Sequence, residues 1–448
     1  MDRHRAEDSA QASDEAFRKA FATVGQRHPD DVASRQCSGC GVYRFGGCQA
    51  ALEGIQGEER GHLCKYTDIS VFLQNMIRMK HILTVLALLV AFASCNERPT
   101  VVRDTIPYVK QLAADTTGTF RLVRTYRSAG SKGSIAVIGE PEAAAQLASV
   151  LLAADLVDNI DGRAVPDRLP DFAGETFDIL MDLYNAPYIR LAGSSPDSLR
   201  EVAVRNAVIA VDTVAYSNAS DPRSRLSKTR AKVFVLANSL LSEYGKFDVD
   251  TLFKMAGREA IILTPVEAML QEAARTGCKS VAVWAPAEAR SAYENAAKKL
   301  TPQLEVTVVS TTGNGILRPA FRDMLGIYRS LKPNGSLDAV LLDSFTASVE
   351  ELNAEKEHIH RQITEQDMAF DRILTPHFRF IEPTAALTGA LYRLLRERNL
   401  FTHDIAYPAV RYYQTEENLD GEFVPVEVSA AYLSAHTKPE PAYVPDID

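Results

Sequence analysis

At 448 residues the chain is longer than one usual hydrophobic core, with room for about three units of roughly 150 residues. A hydrophobic share of 46% beside 24% charged residues excludes intrinsic disorder and a multi-span membrane protein as its general class. The formal net charge of −9 excludes a large phosphate-binding surface, so no nucleic acid is expected as a partner.

Residues 1–75 do not fit an exported chain, because a secretory signal has to stand at the start to be read as one. Cys37-x2-Cys40 with Cys48, Cys64 and nearby His62 offers four tetrahedral zinc ligands, but the second half lacks a matching Cys-x2-Cys or His-x3-His pair. The segment reads as an upstream mis-start or an unstructured stretch, with translation expected to begin at Met76 or Met79. No metal is expected in the functional part.

Residues 76–95 carry a basic start, an apolar run from Ile82 to Ala93, and a cysteine directly after small residues. That run is too short for a bilayer core, which needs about 20 residues, so it reads as a processed secretory signal. Its end, Phe92-Ala-Ser-Cys95, resembles the lipobox of bacterial lipoproteins. The resemblance implies that the Cys95 sulfur takes a diacylglyceryl group and that Cys95 becomes the first residue. The expected location is then the cell envelope, lipid-anchored to the periplasmic face of a bacterial membrane. Four of the six cysteines lie upstream of this signal and Cys95 is its acceptor, which leaves Cys278 in the body. A single thiol forms neither an internal disulfide nor a multi-cysteine metal site.

Residues 96–131 are polar and read as a tether, and 132–437 read as a bilobal domain. The domain opens with the apolar run Ser134–Gly139, followed at once by Pro141 and an alanine-rich stripe to Leu152, which predicts a strand and then a helix. Strands are predicted at 207–211, 232–237, 260–263, 280–284, 304–309, 337–342 and 380–381. Helices are predicted from Pro265, from Pro286 to about 300, through Phe321 to Leu331, from about Ser348, and over 384–395. Uniformly apolar strands separated by helices predict parallel pairing with both faces covered. Residues 162–194, with Pro166, Pro170 and Pro187, read as an insertion or irregular loops, 406–413 and 423–432 as a C-terminal extended strap or edge hairpin, and 438–448 as a tail. The expected fold class is α/β, two doubly wound parallel-sheet lobes with a cleft between them.

In such sheets ligands meet the carboxyl ends of strands. The candidate ligand-binding residues are therefore Gly139, Glu140, Asp212, Thr213, Asn238, Ser239, Thr264, Asp343, Ser344, Glu382 and Thr384. Several have structural readings as well: Thr264-Pro-Val-Glu267 has the form of a capping box, and Ser344 and Thr384 suit helix caps. Cys278 stands at the amino end of its strand and reads as a small buried residue. His358 and His360 are two apart on a helix and do not share a face; His377 and His403 are isolated.

From Ala260 to Leu395 the chain resembles the C-terminal half of the aspartate/glutamate racemase superfamily. The residues are Pro265-Val-Glu-Ala-Met, Ser280-Val-Ala-Val, Asp338-Ala-Val-Leu-Leu-Asp-Ser344 and Ile381-Glu-Pro-Thr-Ala385. Ala207-Val-Ile-Ala-Val-Asp-Thr213 is similar to the strand that carries the family's first catalytic cysteine and its following Asn-Thr. The resemblance implies a reaction with two thiols, one removing a Cα proton and one returning it. It places Val211 and Ser344 at the two thiol positions, so that reaction is expected to be absent. The expected function is a lipid-anchored extracytoplasmic protein that binds a small polar solute in the interlobe cleft, with no catalytic residue and no cofactor. The alternatives are a racemase-fold enzyme working through Asp212, Ser344 or Glu382, and a structural envelope lipoprotein.

Overall fold

The computed structural model describes residues 104–115, 118–127, 130–159, 163–311, 316–402 and 406–430. The signal with Cys95, the upstream cysteines, His403 and the tail fall outside the described residues. Every described element belongs to the unit Val101–Asp448. Among the described residues no helix is long and apolar enough to cross a membrane.

Two helices, α1 (Pro107–Ala114) and α2 (Thr119–Thr125), occupy the stretch expected to be a tether. Ile106 and Val109, then Phe120 and Val123, are spaced three apart, so each helix turns an apolar pair inward, and all four are buried. Tyr126 closes the segment by donating its hydroxyl to the Ala231 carbonyl at 3.0 Å, with its ring edge-on to Phe253 at 5.2 Å. These residues belong to the core and do not lead up to it.

The first sheet is built on β1 (Ser134–Gly139), whose six residues are all buried. β1 pairs in parallel with β2 (Thr176–Met181) and β5 (Ala231–Leu236), and β5 with β6 (Ile262–Leu263). β3 (Val214–Tyr216) and β4 (Arg225–Ser227) form a short antiparallel pair at the far side. α3 (Pro141–Ala153) follows β1, and α4 (Tyr188–Ser194) and α5 (Pro196–Val211) follow β2. β2 and α4 thus fill the stretch read as irregular. The strand expected at 207–211 is the last turn of α5, where Ala207 through Val211 are buried without a break.

α6 (Ser239–Tyr244) and α7 (Lys246–Met255) lead to β6, and α8 (Pro265–Arg275) then crosses to a second sheet. That sheet holds β7 (Ser280–Trp284), β8 (Glu305–Val309), β9 (Leu337–Leu342) and β10 (Leu374–Ile381) in the order β10-β9-β7-β8, all parallel. Its helices are α9 (Arg290–Leu300), α10 (Leu317–Leu331), α11 (Val349–His360), α12 (Glu365–Asp371) and α13 (Pro383–Glu397). Side chains alternate across a strand, and the two faces sort accordingly. Val281, Val283, Ala339 and Leu341 join the core of the first sheet, whereas Ala282, Val340 and Leu342 form a second core with Phe321, Met324 and Leu352. The architecture is α/β, with helices packed on a first sheet that is parallel at its centre and mixed toward β4 and on a second sheet that is wholly parallel.

The C-terminal strands are not an edge strap. β11 (Ala409–Glu417) lies between β2, with which it is parallel, and β12 (Phe423–Val428), with which it is antiparallel; β12 in turn pairs with β3. The approach to β11 is fixed by a fully buried ion pair, Lys232–Glu175 at 2.7 Å. Lys232 also donates to the Leu400 carbonyl at 2.7 Å, and Glu175 accepts the Thr402 N–H at 2.7 Å.

Candidate functional site

A cavity of about 650 Å³ opens where the carboxyl ends of β1 and β5 in the first sheet meet those of β7 and β9 in the second. Five of the eleven candidate residues line it: Glu140, Asn238, Ser239, Asp343 and Ser344. Leu183, Ile189, Arg190, Pro286, Phe345 and Thr346 complete much of the wall.

Glu140 follows β1 and precedes Pro141, which starts α3. Its carboxyl does not cap that helix. Oε1 accepts the Tyr188 N–H at 2.8 Å and Oε2 accepts the Asn238 side-chain amide at 2.6 Å, so the end of β1 is tied to α4 and to the end of β5. Asn238 is at the same time the N-cap of α6, its Oδ1 accepting the Leu240 N–H at 2.8 Å. One amide therefore both ends a strand and aims an acid. Burial, reinforced by the nearby charges of Asp182 and Glu142, holds the Glu140 carboxyl above its usual range despite the two hydrogen bonds.

Asp343 comes from the other sheet, immediately after β9, with its N–H donated to the Trp284 carbonyl at 3.0 Å. Its Oδ2 accepts the Ser239 hydroxyl at 2.6 Å and its Oδ1 accepts the Tyr293 hydroxyl at 3.0 Å. The Ser239–Asp343 bond links the two sheets directly. Burial raises the Asp343 carboxyl to about 6; the two hydroxyl donors oppose the rise and the charge of Glu140 adds to it. Ser344 turns its oxygen to its own loop, accepting the Thr346 and Ala347 N–H groups at 3.3 and 3.1 Å, and its hydroxyl proton stays available.

Gly139 lies just behind the wall. A Cβ there would stand 3.0 Å from the Ala237 carbonyl oxygen and 3.2 Å from the Ala237 methyl, so glycine is what lets the ends of β1 and β5 come together. Behind Glu140, Asp182 accepts the Tyr188 hydroxyl at 3.1 Å and the Asn206 amide at 2.9 Å, which fixes the start of α4.

The other candidates are elsewhere. Asp212 is the C-cap of α5, and its Oδ1 accepts the N–H groups of Thr213 and Val214 at 2.6 and 3.2 Å; neither it nor Thr213 lines the cavity. Asp212 and Ser344 thus do not face each other across the cleft, as the enzyme alternative required. Val211, placed at a thiol position by the resemblance, is a buried helical residue. Thr264 caps α8 by accepting the Glu267 N–H at 3.4 Å, while Glu267 pairs with Lys246 and does not complete a capping box. Glu382 precedes α13 half-buried, its carboxyl raised mainly by desolvation, and Thr384 is buried behind it. Among the described residues no group of three or more His, Cys, Asp or Glu side chains is placed to hold a metal ion.

Tyr293, bonded to Asp343, and Arg190, on the cavity wall, are not among the strand-end candidates. Tyr293 lies mid-helix and is fully buried, and no strand-end rule reaches it. The pattern sought at Val211, a strand followed by Asn and a hydroxyl residue, occurs at the end of β5 as Leu236-Ala-Asn-Ser239.

No protein-family model matches the chain, and no curated protein matches it. Among solved structures it is similar to glutamate racemase from Francisella tularensis subsp. tularensis SCHU S4 in complex with D-glutamate, at 16% identity over 65% of this chain and 91% of that one, with a TM-score of 0.41. An aspartate racemase homologue from Pyrococcus horikoshii OT3 is similar at 13% identity over 59% and 99% of the two chains, TM-score 0.34. Unliganded arylmalonate decarboxylase is similar at 12% identity over 59% and 92%, TM-score 0.28. Likeness at this level assigns no residue a role.

Proposed function

We propose that this protein binds a small polar solute in the cleft between its two sheets, without transforming it, while anchored through Cys95 to the periplasmic face of a bacterial membrane. The observation that carries the reading is convergence: acids and hydrogen-bonding groups from three strand ends, those of β1, β5 and β9, line one cavity of about 650 Å³, a size that suits a small molecule. The acids are held by protein donors, which orients them before a ligand arrives and lowers the ordering cost of binding. The anchor rests on the lipobox-like end of the signal segment. The test is a melting-temperature screen of the purified chain against amines, amino acids, sugars and nucleosides. A rise that disappears in Asp343→Asn supports the reading, and a flat response across the screen defeats it. Lipid attachment is tested by labelling cells with a fatty-acid analogue, which should mark wild type and not Cys95→Ser.

The raised Asp343 carboxyl favours one second reading. An acid poised near 6 suits proton transfer close to neutral pH, and this group is within reach of the cavity. Incubating a bound solute in deuterated water separates the two. Deuterium appearing on a solute carbon, and lost in Asp343→Asn, would replace the binding reading with an acid–base enzyme.

A further inference from the structure

The charges facing the cavity are unequal. Glu140, Glu142 and Asp343 bring three carboxyls to the wall, and among the described residues Arg190, exposed on α4, is the one lining cation. The protein contacts on the two deeper acids are neutral dipoles: the Tyr188 N–H and the Asn238 amide on Glu140, the Ser239 and Tyr293 hydroxyls on Asp343. Each carboxyl oxygen accepts one such bond and retains a second lone pair. Two other buried acids are met by cations, Asp248 by Arg200 at 2.7 Å and Glu175 by Lys232 at 2.7 Å, whereas buried Asp182, behind Glu140, is held like the cleft acids by neutral groups. The cleft acids are therefore aimed but not neutralised.

A solute anion would meet like charge here, and a neutral polyol would leave the acids uncompensated. A group with several N–H donors and a positive charge would fill the free lone pairs with charge-assisted bonds. Leu183, Ile189 and Phe345 line the same cavity and suit a short hydrocarbon spacer behind such a group.

We propose that the solute held in this cleft presents an organic cation, a protonated amine or a guanidinium, to Glu140 and Asp343. The proposal rests on the cleft's being the binding site and adds the charge class of its ligand. It carries a proton signature. The titratable groups facing Asp343 are Tyr293 from α9 and Glu140 from the end of β1, with the non-titrating Ser239 from α6. Tyr293 is pushed well above its ordinary value by burial and does not titrate near neutrality. With Asp343 at about 6, it is half protonated at pH 6, so a cation that selects the ionised form expels about half a proton from it. Burial raises the Glu140 carboxyl as well. At pH 8 the release falls toward zero.

The experiment is titration calorimetry of the full chain with agmatine, glucose, succinate and calcium ion as probes, at pH 6 and pH 8, in two buffers of different ionisation enthalpy. Agmatine is expected to bind with proton release at pH 6 and almost none at pH 8. Glu140→Gln and Asp343→Asn should each weaken it roughly tenfold to a hundredfold, the loss of one or two charge-assisted bonds. Binding of glucose or succinate that is sensitive to Asp343→Asn, with none for agmatine, overturns the cation proposal and leaves the solute-binding reading intact. Binding of calcium ion alone overturns it in favour of a metal site. Agmatine binding that neither variant alters also overturns it, and absence of binding by every probe defeats both readings together.

Discussion

Replacing Asp343 with asparagine should make the protein more stable at pH 8 and leave it nearly unchanged at pH 4.5. A carboxyl raised from 3.8 to about 6 on folding is harder to ionise in the folded state, by about 3 kcal/mol. The folded state therefore binds its proton more tightly than the unfolded state does. Stability from this group is present at low pH, falls as pH rises from about 4 to 6, and is absent above. Asparagine has the same shape and no charge, so it escapes that cost. It cannot accept from both the Ser239 and Tyr293 hydroxyls through its nitrogen, and one weakened hydrogen bond gives back about 1 kcal/mol. The net gain at pH 8 is about 2 kcal/mol, a rise in melting temperature of about 2 to 4 °C. At pH 4.5 the ionisation cost shrinks to about 1 kcal/mol and cancels against the hydrogen bond. Thermal melts of both proteins at the two pH values, taken as differences so that other titrating groups cancel, measure this directly. A difference that does not change with pH, or a variant less stable at pH 8, refutes the account of Asp343 as a desolvated acid. Stability gained together with binding lost would mark it as a group retained for the ligand.

Gly139→Ala should destabilise by about 1 to 3 kcal/mol in urea and weaken binding, because the new methyl meets the Ala237 backbone at 3.0 Å and parts the ends of β1 and β5. Lys232→Met leaves the Glu175 carboxylate buried without its partner and should cost about 3 to 5 kcal/mol, read from the urea midpoint. Thr264→Ala removes the cap of α8 and should cost about 1 kcal/mol with no change in agmatine affinity, so a loss of affinity would return Thr264 to the site.

Much of the fold was legible because its central strands are buried on both faces and bounded by helix-starting prolines. β7 and β9 have the predicted limits, 280–284 and 337–342, and α3 and α8 begin at the predicted prolines. The same rule failed at 207–211. The end of α5 is buried all round, so its periodicity vanishes and an apolar run of helix looks like an apolar run of strand. Pro196 at the helix start was the available signal. β2 escaped because Asp178 interrupts it; that charge is tolerated through distant partners, Ser134 at 2.7 Å, Arg411 at 3.1 Å and Lys228 at 3.8 Å. β11 is rich in Arg, Tyr, Gln and Glu, and its place inside the sheet depends on pairing with β2, more than 200 residues earlier. The acids of the cleft, and Asn238 and Ser239 that hold them, were visible as strand-end residues, whereas the Tyr293 hydroxyl and the Tyr188 N–H come from helices that only the tertiary fold brings near.

The place of β11 bears on how this chain is made. Ribosomes release a protein from its first residue onward, so β1, β2 and β5 emerge well before their sheet can be finished. Until residues 409–428 arrive, β2 has one bare edge, and the β3–β4 pair has no sheet to join, since its neighbour is β12. The bare edge is apolar through Phe177, Ile179 and Met181 and open to pairing with another nascent chain. A molecule stalled before residue 409 would hold every residue that lines the cleft and still lack the strand that continues its sheet beyond β2, so correct assembly waits on residues 409–428.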